Sequence, residues 1–193
     1  MDTFRYYLAL LVVMGVPGAF AFWLSIHPFV KFWRKVGVRQ TYIFHVGILL
    51  VIAAVVFQLR QSLLGREFGT QPALLAAAIA VYILAFAVAL QRRKGLSKQQ
   101  LVGLPELAPG RADNRLITDG IYARIRHPRY LELLLFLLGH ALLTNYLAVY
   151  VALGVYVAGF PFIIRIEEKE LRQRFGTEHE SYCARVPRLI PKF

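Results

Sequence analysis

The run from Leu74 to Leu90 carries no charged residue and has no polar face to turn toward water. A helix that is apolar all round belongs in a large protein core or in a bilayer. A chain of 193 residues suits one domain, and a soluble helical bundle of that size would need a polar face on each helix. The bilayer is therefore the solvent that fits. Composition agrees: 58% of the residues are hydrophobic and the mean hydropathy is +0.52.

A helix crossing the ~30 Å hydrocarbon core needs roughly 20 mainly apolar residues. Tyr6 to Ile26, Tyr42 to Leu59 and Pro72 to Leu90 each meet that requirement. Tyr130 to Ile164 is too long for one span and right for two short ones. Asn145 is the natural turn, giving a tight hairpin of Tyr130 to Thr144 and Tyr146 to Ile164, with a kink expected at Pro161. The predicted fold class is all-α: an integral membrane protein of about five transmembrane helices with a helical C-terminal tail. The first apolar run passes Phe20 without a small-residue cleavage site and is read as a retained helix. The single cysteine, Cys183, excludes an intrachain disulfide.

The charge is +12, a balance that suits nucleic acid or an anionic membrane surface; the apolar runs decide for membrane. Of the 23 basic residues, all but Arg5, Arg60 and Arg66 fall on one side of a five-span arrangement. The positive-inside rule then predicts an external N-terminus, with the loop Gln91 to Arg129 and the tail after Ile164 in the cytosol. Two parts follow, three membrane helices in residues 1–91 and a functional part in residues 92–193.

A loop as long as Gln91 to Arg129 is usually functional or disordered. Its beginning, Arg92 to Lys98, suits solvent or lipid headgroups, and its end is denser. Pro128 disfavours helix at His127 and suits a first helical position, so the fourth span is predicted to start there. A helix N-terminus flanked by Arg126 and Arg129 would hold a carboxylate or phosphate, and lipid headgroups would satisfy the same arginines. Beyond Ile164, Glu167 and Glu168 run against the basic trend. They either bind a cation or pair along the helix, Glu168 with Arg172. Gly176 is expected to stop that helix, and Thr177 with Glu180 to cap a second one through Ala184. The hairpin brings the Arg-His-Pro end beside the Glu-Glu end. Together they suit a zwitterionic amino acid moiety, its carboxylate on the helix N-terminus and arginine, its ammonium on glutamate.

Gly120-Ile-Tyr122, Arg126-His-Pro-x-Tyr130, Glu167-Glu-x-x-Leu171, Phe175-Gly176 and Tyr182-x-x-Arg-Val-Pro187 stand in this order. In that set the chain resembles the membrane methyltransferases that include isoprenylcysteine carboxyl methyltransferases and phospholipid (phosphatidylethanolamine) methyltransferases. The resemblance covers about Leu116 to Pro191. It implies S-adenosylmethionine as cofactor, with Gly120, Tyr122, Arg126, His127, Pro128, Tyr130, Glu167 and Glu168 at its site. It also implies that Arg185 faces the substrate or braces the tail. The family often has glycine where this chain has Glu132. An ionisable group just inside a membrane helix is functional by default. Glu132 is a candidate to steady the sulfonium, to pair with Arg129 or Arg165, or to accept a proton; a helix-pinning ion pair would explain it equally well.

Transfer from a sulfonium is an in-line displacement that needs alignment above all. No metal and no covalent intermediate are expected. The acceptor is expected to enter from the bilayer, as an isoprenylcysteine-like carboxylate, a phospholipid amine or a small thiol. His45 and His140 read as helix contacts. Membrane sterol reductases have a similar Arg-His-x-x-Tyr segment and use NADPH, and a non-catalytic membrane protein is the third class. No nucleic-acid partner is expected, and the oligomeric state is open.

Overall fold

The computed structural model describes residues 2–94, 107 and 115–190; Lys98, Arg111, Pro191 and Lys192, which entered the reading above, lie outside them. Helix α1 is Asp2–Ile26, α2 Val30–Val36, α3 Val38–Gln58 and α4 Arg60–Leu63. Helix α5 is Pro72–Arg93, α6 Pro128–Thr144, α7 Leu147–Phe175 and α8 Thr177–Arg185. A 3₁₀ turn, Gly120–Ala123, precedes α6. Among the described residues there is no strand, only an isolated bridge between Glu67 and Tyr146.

Helices α1, α3, α5 and α7 are long and apolar enough to cross a membrane. Helix α6 has 17 residues, about 25 Å at 1.5 Å per residue. Side chains such as Ile43 and Ile83 stand more than 60% exposed on α3 and α5. In water that surface would be costly; against lipid it is not.

Local sequence sets the helix ends as expected at three places. Pro128 opens α6, with His127 outside the helical region at φ −121° and ψ 58°. Thr144 closes it, and Asn145 takes left-handed geometry at φ 55° and ψ 43°. Helix α7 runs through Pro161 and on to Phe175. Gly176 stops it at φ 54° and ψ −129°, a positive φ outside the left-handed helical well. The expected capping box is absent: Thr177 is already helical, Gly176 is the cap residue, and no side chain bonds the cap.

Helix α5 packs against α6, and α1 packs against α3, α6 and α7. Small residues permit the close approach. A Cβ on Gly139 of α6 would lie 2.8 Å from the Tyr82 ring of α5. His140 is a helix contact here, with Nδ1 2.7 Å from the Phe136 carbonyl and its ring edge-on to Tyr82.

One end of the bundle is tied by Arg5, which is 1% exposed. Its guanidinium donates to the Thr144 carbonyl at 2.6 Å and to Thr70 Oγ1 at 2.7 Å, and pairs with Glu67 at 2.7 Å. Asn145 Nδ2 donates to the Gly69 carbonyl at 2.9 Å. The start of α1, the segment before α5 and the α6–α7 turn thus meet at this end. The motif residues gather at the other, basic end.

Candidate active site

The tail is fastened over the start of α6 by main-chain bonds. Arg126 N donates to the Pro187 carbonyl at 2.9 Å, and His127 N donates to the Arg188 carbonyl at 3.0 Å. The Tyr182 hydroxyl donates to the Tyr122 carbonyl at 2.7 Å, which holds the 3₁₀ turn under α8. Gly120 enters that turn at φ +60°, a backbone geometry that glycine adopts at little cost.

Glu168 is the hub. It is 7% exposed, and its Oε1 accepts from Arg126 Nη2 at 2.7 Å. His127 Nε2 lies 3.2 Å from the same oxygen; a carboxylate only accepts, so that nitrogen carries the proton. Arg188 Nη2 donates to Oε2 at 2.7 Å and Arg188 Nε to the same oxygen at 3.1 Å. The i, i+4 pairing with Arg172 does not form, because Glu168 faces these three donors and Arg172 reaches Glu180 instead, at 3.7 Å. Arg126 also donates through Nη1 to the carbonyls of Cys183 at 2.7 Å and Val186 at 2.9 Å. Both groups are therefore committed to holding the tail.

Glu167, one residue earlier, is less encumbered. Oε2 accepts from the Tyr130 hydroxyl at 2.7 Å and lies 3.8 Å from His127 Nδ1. Oε1 accepts no hydrogen bond among the described residues. The side chain is 26% exposed, and Arg129 and His27 lie within electrostatic reach. Burial pushes the Tyr122 phenol far above its ordinary range, which Arg92 opposes only in part, so Tyr122 is a neutral hydroxyl. Beside it lies a polar cavity of about 480 Å³, lined by Gln91, Lys94, Asp119, Gly120 and Arg124 among others.

Tyr130 also faces a second, apolar cavity of about 250 Å³ between α1, α6 and α7. Phe20 and Trp23 of α1, Arg129 and Leu133 of α6, and Tyr156 of α7 contribute to its wall. The Arg129 guanidinium stacks on the Trp23 ring, 4.5 Å from its centroid. The apolar cavity and the Glu167 carboxylate are thus joined through one side chain, Tyr130.

Two residues predicted to act in catalysis stand elsewhere. Glu132 shares the α5-facing side of α6 with Phe136, away from the apolar cavity. Both its oxygens are engaged by Arg92, Oε1 from Nη2 at 3.0 Å; neither Arg129 nor Arg165 is its partner. Arg92 is 5% exposed, so the pair is buried between the two helices. Arg185 is exposed on α8, and its Nε turns back to the Ser181 carbonyl at 3.3 Å. Arg188 fastens the tail in its place.

The sequence reading missed Arg188, Arg92 and Trp23. Arg188 follows directly on the Arg-Val-Pro motif, and a buried Glu168 would have asked for it. Arg92 ends an apolar helix at the depth of Glu132, a charge match visible once α5 and α6 are neighbours. Trp23 carried no signal, since it sits in an ordinary apolar run.

The sequence profile of the phospholipid methyltransferase family matches residues 73–178. The match takes in α5, which the motifs alone left out. The protein-S-isoprenylcysteine O-methyltransferase of Schizosaccharomyces pombe is 39% identical over 80 residues, 41% of this chain and 34% of that protein. Protein-S-isoprenylcysteine O-methyltransferase B of Arabidopsis thaliana is 37% identical over 81 residues, 40% of either chain. The cobalt-zinc-cadmium resistance protein CzcN of Cupriavidus metallidurans is 37% identical over 84 residues, 43% of this chain and 38% of that protein. The matched part of the chain spans two fifths or less of the length of these relatives.

Proposed function

The chain belongs to the phospholipid methyltransferase family, and we propose that it is an integral membrane, S-adenosylmethionine-dependent methyltransferase acting on a lipophilic acceptor. Glu167 carries this reading. Its Oε1 accepts no hydrogen bond among the described residues, and the carboxylate stands beside Arg129 and the N-terminus of α6.

The residues fit the amino acid part of the cofactor. Oε1 of Glu167 would take the ammonium, and Arg129 or the first turn of α6 a carboxylate. Gly120, Tyr122 and the polar cavity beside them would receive the remainder. When bound, the cofactor supplies a methyl group already activated on a sulfonium, for in-line displacement. The chain's own part is to bind, orient and exclude water. Tyr130 fixes Glu167, His127 is held by Glu168, and the apolar wall of α1, α6 and α7 keeps the acceptor side dry. Arg126 and Glu168 act through the tail they hold. The pair of Glu132 with Arg92 sets α5 against α6, and the first helix lends Trp23 to residues 92–193.

In the membrane we propose five spans, with α6 and α7 as a hairpin, the basic end in the cytosol and the N-terminus outside. The side chains on Arg5 and on Glu167 then lie at opposite faces.

Calorimetric titration with S-adenosylhomocysteine tests the reading in wild type, Glu167→Gln and His127→Ala. Micromolar binding by wild type, lost in Glu167→Gln and weakened in His127→Ala, is expected. A folded wild type that binds NADPH and not S-adenosylhomocysteine would replace the methyltransferase with a reductase.

A further inference from the structure

Helix α3 stands at the edge of the bundle, packed against α1 and also against α2 and α4. Its outer face is apolar, with Ile43, Phe44 and Val51 all exposed. That face is notched at Gly47. The notch opens a groove of about 400 Å³, walled by Ile43, Phe44, Ile48, Val51 and Ile52. The i, i+4 row Arg39, Ile43, Gly47, Val51 slants down this face. At 1.5 Å per residue the row is about 18 Å long. That is close to the hydrocarbon depth of one leaflet, about 15 Å. A single acyl chain lying along α3 would follow it, with its polar end beside Arg39.

Above the groove the chain is basic without relief. No Asp or Glu occurs between Asp2 and Glu67. Lys31, Lys35 and Arg39 are exposed, and none of them pairs with a carboxylate among the described residues. Helix α2 holds the two lysines in place through Trp33. That residue is buried, and its indole donates to the Ser25 carbonyl at 2.9 Å. Its ring packs on Phe44 and His45, with centroids 5.3 Å and 4.9 Å apart. At about 100° per residue, Lys31 and Lys35 stand half a turn from Trp33 and point away from the bundle. Phe29 and Phe32 are exposed beside them and suit the boundary between headgroups and hydrocarbon.

Any lipid tail would cover the apolar face, with no preference among headgroups. The cations create the preference. Three positive charges at the mouth of a groove of leaflet depth match a phosphate carried on a hydrocarbon chain. A choline or ethanolamine headgroup offsets that phosphate with a positive charge of its own and gains less.

We propose that α2 and the outer face of α3 bind an anionic phospholipid. Its headgroup rests on Arg39, Lys35 and Lys31, and one acyl chain lies along Ile43, Gly47 and Val51 while the other stays in the bilayer. This lipid is held and not consumed. The site is independent of the methyltransferase reading: it lies outside residues 73–178 that match the family, and its residues line neither cavity described above.

Native mass spectrometry of the delipidated protein in detergent tests the site, with dioleoyl phosphatidylglycerol and dioleoyl phosphatidylcholine as probes. The tightest adduct is expected to be a single phosphatidylglycerol, saturating at about tenfold lower concentration than phosphatidylcholine. The double variant Lys35→Gln, Arg39→Gln should bring phosphatidylglycerol to the level of phosphatidylcholine. Gly47→Leu keeps every cation and fills the notch, so it should weaken binding of both lipids. A Cβ at Gly47 meets nothing within 4 Å, so this variant folds whatever the charge variant does. Glycerol phosphate, the headgroup without chains, should not displace the lipid. Equal binding of the two lipids, or phosphatidylglycerol adducts that rise without saturating, would overturn the proposal in favour of a diffuse basic surface. Binding left unchanged by either variant, or displaced by glycerol phosphate at the lipid's own concentration, would overturn it as well.

Discussion

Replacing Arg188 and replacing Glu168 break the same contact, yet the structure predicts very different costs. Arg188 is 51% exposed in its side chain, so water takes over its donors when Glu168→Gln is made, and takes its place when Arg188→Ala is made. A charge-assisted bond to a buried group is worth about 1.5–3 kcal/mol, and exposed pairs are worth 0–1 kcal/mol; Arg188→Ala should therefore cost about 1 kcal/mol. Glu168 is different. Arg126 and His127 on its other side are 10% and 5% exposed. Glu168→Gln leaves both facing a neutral amide, and breaking a buried pair costs roughly 3–5 kcal/mol. For a chain of this size about 1 kcal/mol moves Tm by about 2–4 °C. Thermal unfolding in detergent, followed by circular dichroism, should show a small drop for Arg188→Ala and at least twice that drop for Glu168→Gln. The double variant should match Glu168→Gln alone, because Arg188 has nothing left to hold. Additive losses, or a loss in Arg188→Ala equal to that in Glu168→Gln, would show that Glu168 is not the hub and that the tail is held by other contacts.

Removing one partner of the buried Arg92–Glu132 pair, by Arg92→Leu or Glu132→Leu, should destabilise by roughly 3–5 kcal/mol, and the double Leu variant should recover most of that; yields of folded protein on size exclusion and Tm check it. Gly139→Leu drives a side chain into Tyr82, 2.8 Å away at Cβ, so Tm should fall sharply and Tyr82→Ala should restore part of it. Burial pushes the Cys183 thiol above its ordinary value of 9.0. Less thiolate is then present at neutral pH, so alkylation by iodoacetamide should be slow at pH 7 and still climbing above pH 9; a rate that levels off below pH 8.5 would contradict this.

The four long apolar helices were plain in the sequence because the bilayer imposes a long, one-letter requirement. Leu74 to Leu90 meets it without a single compromise, and the α5 boundaries follow. Turn chemistry was equally local: Pro128, Asn145 and Gly176 each fix one backbone angle, and each sits where expected. Side-chain partnerships were not local. Glu168 has a helix neighbour at i+4, and spacing favours it, but three donors from the segment before α6 and from the tail outcompete it once the chain closes. Glu132 likewise finds Arg92, 40 residues away. Thr177 and Glu180 have the letters of a capping box, yet Gly176 takes the cap because α7 and α8 share it. The candidate site was legible as a set of motif residues. Which of its two glutamates is open was not, since that depends on where the tail returns.

Methyl transfer to a lipophilic molecule, with the methyl donor held at Glu167, is the activity proposed for this chain. Membranes from cells expressing the chain, given S-adenosylmethionine labelled in its methyl group, measure that directly. Label should move into the organic-extractable fraction with wild type, and stay in the aqueous phase with Glu167→Gln expressed to the same level. Label in the organic phase to the same extent with both, or with neither although wild type is folded, would contradict the central claim.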